Sequence, residues 1–407
     1  MRLLLVFAGL FSLFSPADAA ADTVRVSDDL IAEQTTYFEI RNGRILGAES
    51  LMLALEDTHF VALGELHNRI RLGELTDALL NVLEPLGFRY FAVEVGPYSA
   101  RRLQQLIQSG MPAVSEVYKR YSSNLYDLIP IPFFKGESDL TFLATADSLG
   151  FELWGLDQEF YFSYAFLIDE IARLAGNGMS REQQRQQRRL VRRLYWLDRR
   201  NQLAELLGRN FKRSCRLQED RELQDFLAGF SSSKNSDIRQ ILDGFHATLE
   251  IYCLNEQGKA SNAARIRYFK DNFERNFEDA LANHTEPKVF LKMGSVHMGK
   301  WQSPFNEYDI GNHVHQLAES RGQSSLHIYY LNRFLDGRDV MGRSGWEESS
   351  AFISVGDQAH WALIDIRPLR EKLRVGTLGG SDWELRTIMN YDFIVVAPED
   401  EFVGRHW

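Results

Sequence analysis

The chain has 407 residues, 44% of them hydrophobic, with 46 basic side chains against 56 acidic ones and a formal charge of −10. That length supports a large core, with room for a main domain and an insertion. The acidic balance weighs against a whole-protein affinity for nucleic acid or anionic lipid.

Residues 1–19 read as a secretory signal peptide. Arg2 supplies a positive start, "LLLVFAGLFSLF" is apolar but too short to span a bilayer comfortably, and Ala17-Asp18-Ala19 fits a cleavage site. No cysteine follows that site to accept a lipid, and no later segment is long and apolar enough to cross a membrane. The expectation is a periplasmic or secreted protein. Cys215 and Cys253 both lie in helical-looking sequence; export permits a bridge between them, and two cysteines alone do not build a thiolate zinc site.

The remaining elements follow in chain order. Residues 35–48 alternate around Asn42-Gly43, which predicts a hairpin with a type I′ turn. "ESLMLALEDT" predicts a short helix. "HFVALGE" (59–65) is a near-continuous apolar run, as expected of a parallel strand buried on both faces. Leu72, Leu75, Leu79, Leu80 and Leu83 have helical spacing, stopped by Pro85 and Gly87. "YFAVEVG" (90–96) is a second buried strand and 98–109 a helix. "FELWGLD" (151–157) is a third strand, "KVFLKMG" (288–294) a fourth, and 325–332, 360–368 and 391–398 are later ones. Alternation of strand and helix predicts an α/β fold: a largely parallel β-sheet flanked by helices.

Residues 159–286 differ. They show amphipathic patterns and no convincing strand, and predict a long all-helical insertion. The core is then split into 20–158 and 287–407. Residues 181–213 hold ten arginines beside a stripe of Leu190, Leu194 and Leu197. That is a solvated helix face with arginine stems over the core, or an anion- or partner-binding face.

In an open parallel sheet, ligands bind beyond the carboxyl ends of the strands. Those ends carry Glu65 and His67, Glu94, Asp157 and His297. Gly64-Glu65-Leu66-His67 and Gly294-Ser295-Val296-His297 repeat one pattern, the glycine expected to let the chain turn and to leave room beside a site. Two histidines and three acids at like-directed ends point to activation of water. In one version His67 or His297 is a general base whose tautomer a carboxylate fixes, and the other groups steady the oxyanion or the leaving group. In the other, both histidines and one or two of the carboxylates hold a divalent metal. His313 and His315 stand two apart on a predicted helix and face different ways. His59, His246, His284, His327, His360 and His406 have no partner at a recognisable spacing and read as structural.

"LGELHN" followed by a helix and "GFRYFAVEVG" resembles the opening of the erythromycin esterase-like proteins, whose fold is shared with the haem-uptake ChaN-like proteins and the Tiki metalloproteases. The paired G-x-x-H motifs with Glu94 are similar to the Tiki pattern, which implies His67, Glu94 and His297 as metal ligands. "LWGLDQE" resembles the esterases' Gly-x-Asp-x-Gln, with Gly155 and Asp157 in place and Gln158 one residue early. Arg265, Tyr268 and Asn272 match an Arg-x-x-(aromatic)-x-x-x-Asn helix. Asn68 and Arg71 stand where esterases usually carry glycine and glutamate, and the nearest following acid is Glu74. The resemblance implies a hydrolase site led by His67, with Glu65, Glu94, Asp157 and His297 around it, and the all-helical insertion covering the C-terminal edge of the sheet. Arg71, Glu74, Gln158, Arg265, Tyr268 and Asn272 are then candidates for binding a small-molecule or peptide substrate whose ester, lactone or amide bond the site would cleave. The alternatives it leaves open are a haem- or metal-binding uptake protein and a metal-dependent peptidase. A scaffold without activity is a third reading. "YDLIPIPFFKGES" (126–138) places Phe133 and Phe134 either on an apolar pocket wall or as core plugs.

Overall fold

The computed structural model describes residues 23–122, 129–208 and 212–407. The proposed signal segment lies outside the described residues, as does the start of the 126–138 loop.

Nine strands form the main sheet: β1 (Thr35–Arg41), β2 (Arg44–Leu46), β3 (Phe60–Glu65), β4 (Phe88–Val93), β5 (Glu152–Gly155), β6 (Lys288–Gly294), β7 (Ser325–Asn332), β8 (Trp361–Asp365) and β9 (Phe393–Ala397). Their spatial order is β2-β1-β8-β9-β7-β3-β6-β4-β5. From β9 to β5 all neighbours are parallel. The β1–β2 hairpin and β8 add antiparallel pairing at one side. Asn42 and Gly43 both have positive φ, as the tight hairpin turn requires.

Every residue of β3 is buried, because helices cover both faces. Alternation divides its side chains: Val61 and Leu63 enter one core, Phe60 and Ala62 the other. The first core packs on the helices Ile70–Leu83, Pro97–Gln108 and Glu137–Ser148. The second packs on Ser261–Asn283, Ile310–Ser320 and Asp382–Asn390. Between β5 and β6, the described residues form helices and no strand. Cys215 and Cys253 are joined by a disulfide within that stretch.

Register sets what the strand ends share. Glu65 is level with Gly294, and Val93 is level with both Lys292 and Gly155. Glu65, Glu94, Asp157 and the chain leading to His297 therefore leave the sheet at one edge.

Candidate active site

Glu65 closes β3, and two residues later His67 returns to it. The His67 Nδ1 lies 3.0 Å from Glu65 Oε1, and its Nε2 lies 3.6 Å from Glu94 Oε2. Glu65 accepts a second bond, from Lys292 Nζ at 2.5 Å, where both side chains are almost wholly buried. Strand alternation explains that pair: Lys292 points from β6 toward the same core as Phe290, and its ammonium sits over the Phe142 ring.

Glu94 is the hub. Its Oε2 accepts from the Gly294 N–H at 2.6 Å and its Oε1 from Arg265 Nη2 at 2.8 Å. Arg265 reaches in from the helix Ser261–Asn283 and also grips both oxygens of Asp157. Its Nη1 comes within 3.4 Å of His297 Nε2. The other ring nitrogen of His297 bonds Asp309 at 2.7 Å, and Asp309 also caps the helix Ile310–Ser320. Each histidine thus has a carboxylate on Nδ1 and turns Nε2 toward Glu94.

The two glycines of the repeated motif serve close approach. Neither is among the positive-φ residues, and both end inside strands. A Cβ on Gly294 would stand 3.1 Å from His67 Nε2 and 3.2 Å from Glu94 Oε2; one on Gly64 would stand 2.9 Å from the Tyr391 hydroxyl. The turn after the first motif falls instead at Asn68, with φ of 61°.

Charge sets the protonation pattern. Burial disfavours the imidazolium of His67, but Glu65 and Glu94 outweigh it and raise its pKa above the ordinary 6.5. His297 is raised likewise: burial is overcome by Asp309 and Glu94. Burial works against ionised Glu94, yet His67, His297 and Arg265 hold it down at about 2. Glu65 is lowered in the same way, Lys292 and His67 prevailing over burial. Asp157 goes the other way, because burial exceeds the pull of Arg265.

Glu65, His67 and Glu94 each offer a ligand atom within 4.8 Å of one another. The expected metal set of His67, Glu94 and His297 fits poorly, because Arg265 already bonds Glu94 and faces His297 Nε2. A divalent ion there would sit against a permanent cation. Glu65 is likewise committed to Lys292.

Other expected contacts fall away from this centre. Arg71 pairs with Glu74 at 2.7 Å and donates to the Glu399 carbonyl, tying the first helix after β3 to the C-terminal segment. Gln158 is buried, its backbone N–H donating to Asp157 Oδ1 at 2.7 Å and its Oε1 unpartnered among the described residues. Tyr268 and Asn272 lie on one helix, and Asn272 donates to the Leu156 carbonyl at 2.9 Å, which holds that helix onto the strand-end loop. His313 faces Glu274 and His315 faces Ser325, on different sides of their helix. Phe133 stacks flat on His67, with centroids 3.9 Å apart, while Phe134 is buried in the core. One phenylalanine therefore takes each of the two expected positions.

Sequence reading missed Lys292 and Asp309. A lysine inside the apolar run "KVFLKMG" and an aspartate just before "IGNHVHQ" were the available signals. It also missed Glu159, a buried carboxyl that burial pushes up to about 7 although Ser99 and the Tyr98 N–H bond it.

No protein-family model matches the sequence, and no curated protein matches it significantly. Solved structures do. A mutant of erythromycin esterase EreC in its open conformation superposes with a TM-score of 0.53 at 14% identity, covering 88% of this chain and 94% of that one. The chain has the fold of erythromycin esterase. A succinoglycan biosynthesis protein also superposes on this chain, with a TM-score of 0.51 and 12% identity over 92% of this chain and 96% of the other. ChaN of Campylobacter jejuni, described with cofacial haem, reaches a TM-score of only 0.30 at 14% identity over 75% of this chain and 94% of that one, too loose a likeness to carry a haem reading.

Proposed function

We propose that the chain is an exported hydrolase-like enzyme that activates water against an ester, lactone or amide bond, with His67 as general base. The observation that carries this is the Glu65–His67 pair. Donation from Nδ1 to Glu65 leaves the Nε2 lone pair free, and Glu94 stands too far for a direct bond, at 3.6 Å. His67 is partly exposed, at 28% of its side chain, whereas His297 is at 4%, so water and substrate meet His67 first.

In this reading Nε2 takes a proton from water as the water attacks the carbonyl carbon. The resulting imidazolium is stabilised by Glu65 and Glu94 and returns its proton to the leaving group. Arg265, a quarter exposed, supplies fixed positive charge for the oxyanion. Export is supported by the leader-like residues 1–19 and by the Cys215–Cys253 bridge, which an oxidising compartment favours.

The test is turnover of model esters, lactones and peptides by the purified full chain, with and without chelator. His67→Ala should lower the rate about 10²- to 10⁴-fold. Absence of turnover on all three classes, or an unchanged rate in His67→Ala, would overturn the reading.

A further inference from the structure

A cleft of about 410 Å³ opens beside the second G-x-x-H motif, between Ser295 and Val296 and the helix Asp382–Asn390. Its floor is aromatic: Tyr329 and Tyr391 stack with centroids 4.8 Å apart, and Trp383 lies beside Tyr329. A smaller cavity of about 180 Å³ shares Tyr329, Glu348 and Trp383 and reaches Leu66, the residue between Glu65 and His67.

One wall is a short loop held by the Gln302–Tyr308 bridge and by the Ser303 N–H bonded to the Glu307 carbonyl at 2.8 Å.

The polar groups around the rings are mainly neutral: Gln302, Ser303, Asn306 and Thr387 line the cleft. Its one arginine is spent internally, Arg386 donating to Asp382 at 2.7 Å and to Asn306 at 3.4 Å. With Glu348 also present, the wall has no surplus of positive charge to hold an anion. Flat aromatic faces, amides and hydroxyls without net cationic charge are the chemistry that recognises sugar rings: apolar C–H faces lie on the aromatics and hydroxyls bond the amides.

We infer that this cleft binds a neutral oligosaccharide, or a neutral sugar carried on a larger molecule, along a path that ends at Leu66 beside the His67 site. The binding stands apart from the hydrolase reading and is measured without turnover.

The experiment is calorimetric titration of the full chain with cellohexaose, laminarihexaose and chitohexaose, using tetragalacturonate and a mixed-sequence decapeptide as competitors in class. At least one neutral hexaose should bind with Kd below about 1 mM and little salt dependence. Trp383→Ala, which removes a lining ring, should weaken it about tenfold, and Gln302→Ala, which removes a lining amide, should also weaken it while thermal unfolding stays that of the parent. His67→Ala should bind as the parent does, so loss of hydrolysis and loss of sugar binding are read separately. No binding of any neutral hexaose, binding indifferent to both cleft variants, or binding only of the acidic sugar or the peptide would each overturn the inference.

Discussion

Arg265 donates to Glu94 at 2.8 Å, placing a permanent cation from the helical stretch at the meeting point of two strand ends and two imidazoles. Without it, Glu94 and Asp157 would be buried anions facing each other. Arg265→Met should therefore cost about 3 kcal/mol in urea unfolding, the lower part of the range for breaking a buried pair, because Arg265 is a quarter exposed. Arg265→Lys should recover only part of this, since one ammonium does not span both carboxylates. A loss under about 0.5 kcal/mol, the scale of an ordinary surface change, would contradict the hub role.

His67 must be neutral to act as a base, and its pKa is raised above 6.5 by Glu65 and Glu94 against burial. The acidic limb of kcat/KM should accordingly rise with pH through a midpoint above 6.5. Glu65→Gln removes one raising charge and should move that limb to lower pH. The sign for stability is opposite: the protonated ring contributes stability that is full below its unfolded pKa and fades as pH rises through the folded one. Titration of the His67 ring by NMR, in the parent and in Glu65→Gln, checks both.

Lys292 and Glu65 are 3% and 2% exposed, so removing either partner strands the other. Lys292→Met should destabilise by about 3–5 kcal/mol. The double variant Lys292→Met with Glu65→Gln should be more stable than Lys292→Met alone, because no buried anion then lacks a cation. Denaturant midpoints of both singles and the double measure the coupling.

Gly294→Ala and Gly155→Ala separate function from folding. At Gly294 the new methyl meets side-chain atoms of His67 and Glu94 beyond 3.0 Å, which can shift. Activity should fall while the fold persists. At Gly155 the methyl would stand 2.3 Å from the Gly96 carbonyl oxygen, which is backbone. That variant should be poorly folded, as circular dichroism and yield would show.

The Cys215–Cys253 bridge closes 38 residues of helical chain. Replacing both cysteines by serine should lower stability by about 2–4 kcal/mol, chiefly by loosening the unfolded chain. Chemical denaturation with and without reductant reads the loss in the parent protein.

Much of the architecture was legible in the chain itself. Runs such as 59–65 and 288–294 are apolar throughout, which only a strand covered on both faces tolerates, and strand–helix alternation then dictates parallel pairing. Parallel pairing in turn implies that groups after those runs share an edge, so His67, Glu94, Asp157 and His297 could be named together. Arg71 and Glu74 show the limit. They follow the first motif closely, yet the first turn of their helix faces the C-terminal segment, which bonds Arg71, and Arg71 in turn pairs with Glu74.

What the sequence determined alone was local: the period of each run, the glycines and the residues at each strand end. The tertiary structure decided which groups touch. Register set Glu65 beside Lys292, docking of a distant helix drove Arg265 between Glu94 and Asp157, and loop packing laid Phe133 on His67. Such contacts join segments far apart in the chain, and their geometry depends on burial and charge summed over the whole fold, which no local pattern records.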